Sequence, residues 1–272
     1  MLDLLQKDNH VVVPKKKFNP RTGPSIELGL IGRNNALTFT GLCSEHDTEL
    51  FKLADTLPLD TTNSKQLEQY AYRTVMMELH TCIEEGARFF KLDADQVKAG
   101  RVKPGEGGAI QMAGHFADRS WRLFRYRNRN FDTPLLKGEE LPIEHRIITF
   151  EGQKPTLAVS SFFGLGSEEN GDVIGVMLSV IPEAEKITAI LSYATAQKEA
   201  ITKAAPELFD DSGDLKKALS HTILRRVENF TLSPDFYDGW SDDKKKKVVE
   251  YFHKSAMTGE APPEDAEFSL FD

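Results

Sequence analysis

The sequence predicts an α+β protein in which an antiparallel sheet of about five strands packs against helices, one of them long. Apolar residues recur at helical spacing after residue 63, and five segments between residues 121 and 193 are rich in β-branched and aromatic residues. Helical spacing returns after residue 196. A run of strands followed by helices is typical of an α+β fold, because the helices can cover one face of the sheet.

The long helix is predicted from Ser64 to about Leu92, where apolar residues are three or four positions apart. Asn63 or Ser64 suits its N-cap, because a short side-chain oxygen can accept a hydrogen bond from the free backbone N–H groups of the first turn. The glycine-rich segment from Lys98 to Gly114 predicts a connecting loop after this helix.

The strands are predicted from their composition and from the Gly, Pro and Asn turn residues between them. They are Trp121 to Phe131, Ile143 to Phe150, Thr156 to Phe163, Val173 to Ile181 and Ile187 to Tyr193. The later helices are Gln197 to Leu208, Leu215 to Phe230 and Asp242 to Phe252.

The composition, 40% hydrophobic and 28% charged residues in a chain of 272, is that of a globular protein with a buried core. No apolar run is long enough for a membrane-spanning helix, and Cys43 and Cys82 are too few for a disulfide scaffold. These features predict a cytoplasmic protein with no membrane partner. A net charge of −8 gives no general attraction to DNA or RNA, so nucleic-acid binding would need a local basic patch.

Three parts are expected along the chain: a small finger-like module at residues 1–58, an α+β body at residues 59–256 and an acidic flexible tail at residues 257–272. The tail carries Pro262-Pro263 among its carboxylates, as flexible termini often do. Its apolar residues Phe268, Leu270 and Phe271 leave open that it docks on the body or on a partner.

The first fifty residues carry the most informative motif. His10 begins the segment HVVVPKK, and Cys43, His46 and Asp47 lie in the segment GLCSEHD. This pair of segments resembles the skeleton of an HNH-type, treble-clef finger. The chain also resembles a set of uncharacterised bacterial proteins that combine these segments with a helix bearing an aromatic–Arg pair, here Tyr72-Arg73, and a late Glu-Asn…Ser-Pro segment.

The resemblance to HNH nucleases implies a role for each residue of the motif. His10 would be the general base, and Cys43, His46 and Asp47 would be metal ligands. Zinc or magnesium would be the ion. Since Cys43 and His46 are only two of the four ligands of a closed zinc site, the finger is degenerate here, and a finger without metal is the alternative. In that case Cys43 is a small buried hydrophobe and Asp47 a helix-start residue stabilised by the helix dipole.

Two basic clusters are candidates for nucleic-acid binding. The first consists of Lys15, Lys16 and Lys17. In the second, a strand over residues 121–131 would place Arg125, Arg127 and Arg129 on one face and Arg122 with two aromatic residues on the other. The arginines would grip phosphates, or they would pair with carboxylates of Glu139, Glu140 and Glu144 on the next strand.

Three functions remain open from the sequence. The preferred one is a nucleic-acid-binding or partner-binding protein with a degenerate HNH-like finger; a bacterial defence or mobile-element system is what the resemblance implies. The second is an active metal-dependent HNH-type endonuclease. The third is a protein-interaction or inhibitory subunit that does not bind DNA or RNA.

Overall fold

A computed structural model of the chain describes residues 2–19, 23–39, 41–255 and 268–272. The described part combines helices with one antiparallel sheet, which confirms the α+β class, but the sheet has seven strands instead of about five. The strands are β1 (His10–Asn19), β2 (Gly23–Gly32), β3 (Ile143–Glu151), β4 (Leu157–Ser167), β5 (Val173–Pro182), β6 (Lys186–Ala194) and β7 (Phe230–Leu232). The α-helices are α1 (Ser44–Leu50), α2 (Lys52–Thr56), α3 (Ser64–Lys98), α4 (Gly108–Arg127), α5 (Thr133–Lys137), α6 (Lys198–Ala204), α7 (Leu215–Arg226), α8 (Pro234–Asp238) and α9 (Asp242–His253).

The chain forms two compact units. Unit 1 comprises Met1–Thr38, Glu144–Leu165 and Gly175–Asp272, and unit 2 comprises Phe39–Ile143 and Gly166–Ile174. The module expected at residues 1–58 therefore contributes residues to both units. Among the described ranges, no helix is long and apolar enough to cross a membrane.

Unit 1 is built on the sheet, whose strand order is β2-β1-β7-β4-β5-β6-β3. Strands β3 to β6 confirm four of the five segments predicted from composition. The two additional long strands, β1 and β2, form a hairpin in which Val12 pairs with Leu30. The short strand β7 pairs with both β1 and β4, so it joins this N-terminal hairpin to the predicted strands.

The core of unit 1 lies around β5 and β6. Every residue of β6 after Lys186 is buried, and β5 is buried from Gly175 onward. Such continuous burial marks strands that are covered on both faces, whereas a half-exposed strand alternates buried and exposed residues. Buried residues of α7 and α9, among them Ile223 and Phe252, add to the same unit's core.

The end of the chain packs into unit 1. Leu270 and Phe271 are fully buried, and the Phe271 ring centroid lies 4.9 Å from that of Phe150. The backbone N–H of Leu270 donates to Ser220 Oγ at 2.9 Å, and Lys216 Nζ pairs with the Asp272 carboxylate at 2.5 Å. Residues 257–267 of the predicted flexible tail lie outside the described residues, whereas residues 268–272 are held by apolar and polar contacts.

Unit 2 is dominated by the helical hairpin of α3 and α4. The long helix α3 confirms the prediction and extends six residues beyond it, to Lys98. Asn63 is its N-cap, with its side chain accepting a hydrogen bond from the Gln66 N–H at 3.2 Å. The predicted connecting loop is shorter than expected, since α4 begins at Gly108.

The strand predicted over residues 121–131 is wrong, because these residues belong to α4 and to the π-helical turn Asn128–Asp132. The buried residues of α4 are Ala109, Ala113, Leu123 and Tyr126, which share one helical face. Packing of that face outweighs the preference of the aromatic residues for strands, because strand propensity is weak compared with tertiary contacts.

Candidate functional site

His10 lies at the start of β1, directly after a tight turn. Lys7 and His10 exchange two backbone hydrogen bonds of 2.9 Å, and Asp8 and Asn9 between them have φ values of 50° and 60°. Two central residues with positive φ are the mark of a type I′ turn, which Asp and Asn tolerate better than most residues. The turn thus positions the His10 ring.

The ring of His10 is oriented by this turn. Its Nδ1 lies 2.7 Å from the carbonyl oxygen of Asp8. A carbonyl only accepts hydrogen bonds, so Nδ1 carries the proton in the neutral ring and Nε2 is left as an acceptor. His10 also lines a cavity of about 440 Å³ in unit 1 together with Lys7, Leu28 and Tyr237. This geometry suits a general base, and that role for His10 stays a prediction.

The other residues of the predicted finger lie in unit 2, at the start of α1. Cys43 is the N-cap residue, and its Sγ lies 3.0 Å from His46 Nδ1. Asp47 lies in the first turn, where a carboxylate is stabilised by the helix dipole. Cys43 is exposed, so the alternative of a buried hydrophobe is wrong.

Metal binding by these residues stays a prediction. Cys43 and His46 are close enough to share an ion, and a closed zinc site needs four ligands. Within the described ranges, no group of three or more His, Cys, Asp or Glu side chains is arranged to hold a metal ion. His10 belongs to unit 1, whereas Cys43, His46 and Asp47 belong to unit 2.

The predicted lysine cluster lies on β1. Lys15 Nζ donates to the carbonyl oxygen of Leu30 at 2.7 Å, and Lys17 Nζ pairs with Glu27 at 2.6 Å. Both partners lie on the neighbouring strand β2. The side chain of Lys16 lies outside the described part of the structure. Lys15 and Lys17 are therefore engaged in holding the hairpin together, and their contact with phosphates stays a prediction.

The predicted arginine row is arranged by a helix instead of a strand. Arg122, Arg125 and Arg129 converge on the loop between β4 and β5, which is part of unit 2. In this loop Arg125 pairs with Asp172, Arg129 pairs with Asp172 and Glu168, and Arg122 donates to the carbonyl oxygen of Gly171. The carboxylates predicted as partners, Glu139, Glu140 and Glu144, are not among these contacts. Helical spacing explains the change, because residues three or four apart lie on one helix face.

Asp172 is the centre of this charge cluster. Its carboxylate pairs with Arg125 and with Arg129, each at 2.7 Å, although the residue is only 7% exposed. Arg122 Nη1 donates to the carbonyl oxygen of Gly171 at 2.9 Å. A buried carboxylate needs such partners, because removing a charge from water is costly unless it is paired. The cluster therefore anchors the loop to α4.

We expect Asp172→Ala to lower the free energy of unfolding by about 1–2 kcal/mol, measured by urea denaturation. Breaking a fully buried ion pair costs roughly 3–5 kcal/mol. The smaller value applies here because the Arg125 and Arg129 side chains are 42% and 43% exposed, so water screens them once the carboxylate is gone. Glu169→Ala, an exposed carboxylate of the same loop, is the control and should leave the midpoint unchanged. Equal midpoints for the two variants would contradict the anchoring role.

Arg127 has a different set of partners from the other arginines. Its Nε and Nη2 both lie 2.9 Å from Asp132 Oδ2, and its guanidinium lies 5.5 Å from the centre of the Phe124 ring. Tyr72 donates its hydroxyl proton to the other oxygen of Asp132 at 2.6 Å. Burial, followed by this hydrogen bond, raises the pKa of Tyr72 far above its usual value. The hydroxyl thus stays protonated and serves as a structural donor.

Arg73, the second residue of the aromatic–Arg pair, is also held within unit 2. Its guanidinium pairs with both oxygens of Asp55, at 2.5 and 2.6 Å, and lies 4.3 Å above the Phe51 ring. A bidentate pair with a stacked ring is a specific arrangement that lysine cannot replace. Tyr72 and Arg73 therefore connect α3 to its neighbours in unit 2.

One open surface of unit 2 was not predicted from the sequence. It is a groove of about 1040 Å³ along α3 and α4, which we call the hairpin groove. Ile83, Phe90 and Trp121 line it with 55%, 63% and 59% of their surface exposed. Its apolar residues recur at helical spacing in the sequence. The strand predicted over residues 121–131 separates Trp121 and Phe124 from this helical pattern, so the sequence does not reveal the groove.

The lining of the hairpin groove is almost entirely apolar. Arg127 is its single charged member and is neutralised by Asp132. The lining residues are Leu79, Cys82, Ile83, Gly86, Ala87, Phe90, Ile110, Ala113, Gly114, Ala117, Ser120, Trp121, Phe124 and Arg127. Such a surface can bind apolar groups.

Comparisons with family models, with curated proteins and with solved structures found no match to this chain.

Proposed function

We propose that the protein is a protein-binding subunit whose contact surface is the hairpin groove. The single observation that carries this proposal is the exposure of Ile83, Phe90 and Trp121 in one apolar groove. Contiguous apolar surface of this kind is uncommon on proteins that act alone, and it marks contact sites. Aromatic residues in particular dominate the energetics of protein–protein interfaces.

The gain from covering this surface is large. An aromatic side chain buries roughly 150–250 Å², so covering the exposed part of Trp121 contributes on the order of 2–3 kcal/mol. Phe90 and Ile83 add comparable contributions. Two or three such anchors in the centre of an interface are sufficient for specific binding.

The arginine cluster supports protein binding over nucleic-acid binding. Arg125 and Arg129 are bound to Asp172, and a phosphate would have to displace this carboxylate. The net charge of −8 also repels a polyanion at long range. The HNH-like finger and the bacterial defence context suggested by the resemblance are not needed for the proposed function.

Site-specific photocrosslinking in the native host tests the proposal. A photoreactive phenylalanine analogue at position 83, inside the hairpin groove, is expected to form covalent adducts with another polypeptide, because the side chain there is covered in the bound state. The same analogue at position 136 is the matched control, since Leu136 is 89% exposed on α5 and does not line the groove.

The absence of adducts above the level of the position 136 control would refute the proposed function. Cleavage of DNA or RNA that needs a divalent metal and is lost in His10→Ala would favour the nuclease alternative instead. Phe90→Glu should abolish the position 83 adducts, because a carboxylate in the groove is costly to bury.

A further inference from the structure

Building on the proposed function, we infer that the hairpin groove binds a second copy of this chain, so that two α3–α4 hairpins form a four-helix bundle. The groove lies on one face of two adjacent, antiparallel helices. Such a pair is half of a four-helix bundle, in which the apolar stripes of four helices meet in a shared core. Each copy then supplies the two helices that the other lacks.

The lining residues have the spacing that helix–helix packing requires. On α3 they lie at positions 79, 82, 83, 86, 87 and 90, and on α4 at positions 110, 113, 114, 117, 120, 121, 124 and 127. Steps of three and four residues keep a stripe on one face of a helix. Both stripes are thus continuous along the groove, as an interface between helices needs.

The shape of the groove is complementary to itself. Two contacts show which residues of α3 and α4 lie opposite each other in the hairpin. Glu78 pairs with Arg119 at 2.5 Å, and the rings of Phe89 and Phe116 stack with their centroids 5.7 Å apart. Bulky Trp121 and Phe124 thus lie toward the Leu79 end of the groove. Small residues, Gly86, Ala113, Gly114 and Ala117, occupy the middle, and Phe90 and Ile110 lie at the other end.

A two-fold axis through the middle of the groove brings the Trp121 end of one copy against the opposite end of the groove in the other copy. The ring of Trp121 from one copy then lies over the trough formed by Gly86, Ala113, Gly114 and Ala117 of the other, and the reciprocal contact follows by symmetry. Small residues let the second hairpin approach closely, while large ones fill the space, as in the packing of knobs into holes.

The charges beside the groove favour an identical partner over a strongly charged peptide. On α3 and α4, outside the lining, charged residues occur as pairs of opposite sign on the same helix: Lys91 with Asp95 at 2.8 Å and Arg122 with Asp118 at 2.8 Å. Two copies related by symmetry present the same rim to each other, so a rim of one sign would repel. A balanced rim avoids this repulsion.

The size of the surface is at the lower end of the range for specific interfaces, since two faces of roughly 500 Å² bury about 1,000 Å² in total. The stripe of α4 from Ile110 to Arg127 is about 27 Å long at roughly 1.5 Å per residue, and two helices side by side are about 20 Å wide. The projected face is therefore roughly 500 Å², and protruding side chains raise its accessible area toward the roughly 800 Å² per partner of a standard interface.

Sedimentation equilibrium of the full chain tests the dimer. The wild-type protein is expected to sediment with twice the mass of the 30.5 kDa chain at micromolar concentration.

Trp121→Glu should raise the dissociation constant of the dimer by roughly 100-fold or more, as loss of a central aromatic anchor does. Leu136→Glu, outside the groove, should leave the dissociation constant within about 3-fold of wild type. Because Trp121 is 59% exposed, the urea midpoints of Trp121→Glu and of the wild type should match when both are measured at a protein concentration far below the dissociation constant of the wild-type dimer.

A cysteine crosslink provides an independent measurement. In a Cys43→Ser background, Ala117→Cys is expected to form a disulfide-linked dimer on mild oxidation, because Ala117 lies near the proposed axis, whereas Leu136→Cys should not. A wild-type chain that sediments as a monomer at all concentrations, with no Ala117→Cys crosslink, overturns the inference. If position 83 still forms photoadducts with a different polypeptide, the proposed function stands without the dimer; if it forms none, both fail.

Discussion

Replacement of Phe271 by alanine is expected to lower the free energy of unfolding by about 3–4 kcal/mol. The Phe271 side chain is fully buried, and its ring lies against Phe150 in an edge-to-face contact. Removing it loses the transfer free energy of the ring and leaves a cavity that the surrounding residues fill only in part. Urea denaturation followed by circular dichroism measures the change as a shift of the midpoint at constant slope.

The matched control for this variant is Leu30→Ala in the same unit. Leu30 is 55% exposed, so its truncation should cost less than about 1 kcal/mol. A midpoint for Phe271→Ala within the error of the wild type would show that the last residues do not pack into the core. The chain would then end in a free tail, as the composition of residues 257–272 suggests.

The second large effect is a loss of stability in mild acid that depends on His145. This side chain lies on β3 and contacts Ser192 Oγ at 2.7 Å, while its Nε2 is buried without a hydrogen-bond partner among the described residues. Burial lowers the pKa of His145 from 6.5 to about 4, because the charged ring would lose its hydration. The unfolded chain therefore binds a proton at a higher pH than the folded chain does.

The sign of the effect follows from this difference. Between pH 6.5 and pH 4 the unfolded state holds more protons on this residue, so the free energy of unfolding falls as the pH falls. The loss between pH 7 and pH 5 is expected to be about 2 kcal/mol for a shift of this size. The contribution of His145 to the free energy of unfolding is fully present above pH 6.5.

Urea denaturation at both pH values checks this expectation. The wild-type difference in the free energy of unfolding between pH 7 and pH 5 includes a contribution from His145. This contribution should disappear in His145→Gln, since glutamine does not titrate. His115→Gln replaces an exposed histidine and should keep the wild-type difference. An unchanged pH dependence in His145→Gln would mean that the ring is hydrated enough to take up a proton in the folded state.

The sequence predicted some features of the candidate site and not others. The helix start at Asp47 was predicted, because helix caps depend on residues close in the chain. The tight turn before His10 was not predicted. The partner of Arg125 was missed, since Asp172 is far away in sequence and is brought near only by folding. The hairpin groove could not be predicted from the sequence either, because the exposure of Trp121 depends on how α3 and α4 pack.

The sequence by itself determined the α+β class, the helix from Ser64 and the strands β3 to β6, because each of these follows from a local periodicity or composition. Only the tertiary structure decided that residues 121–127 are helical, that β1 and β7 join the sheet, and that Phe271 is buried. In each of these cases the decisive free energy comes from contacts between distant segments, and this term is larger than the local preference that a single sequence displays.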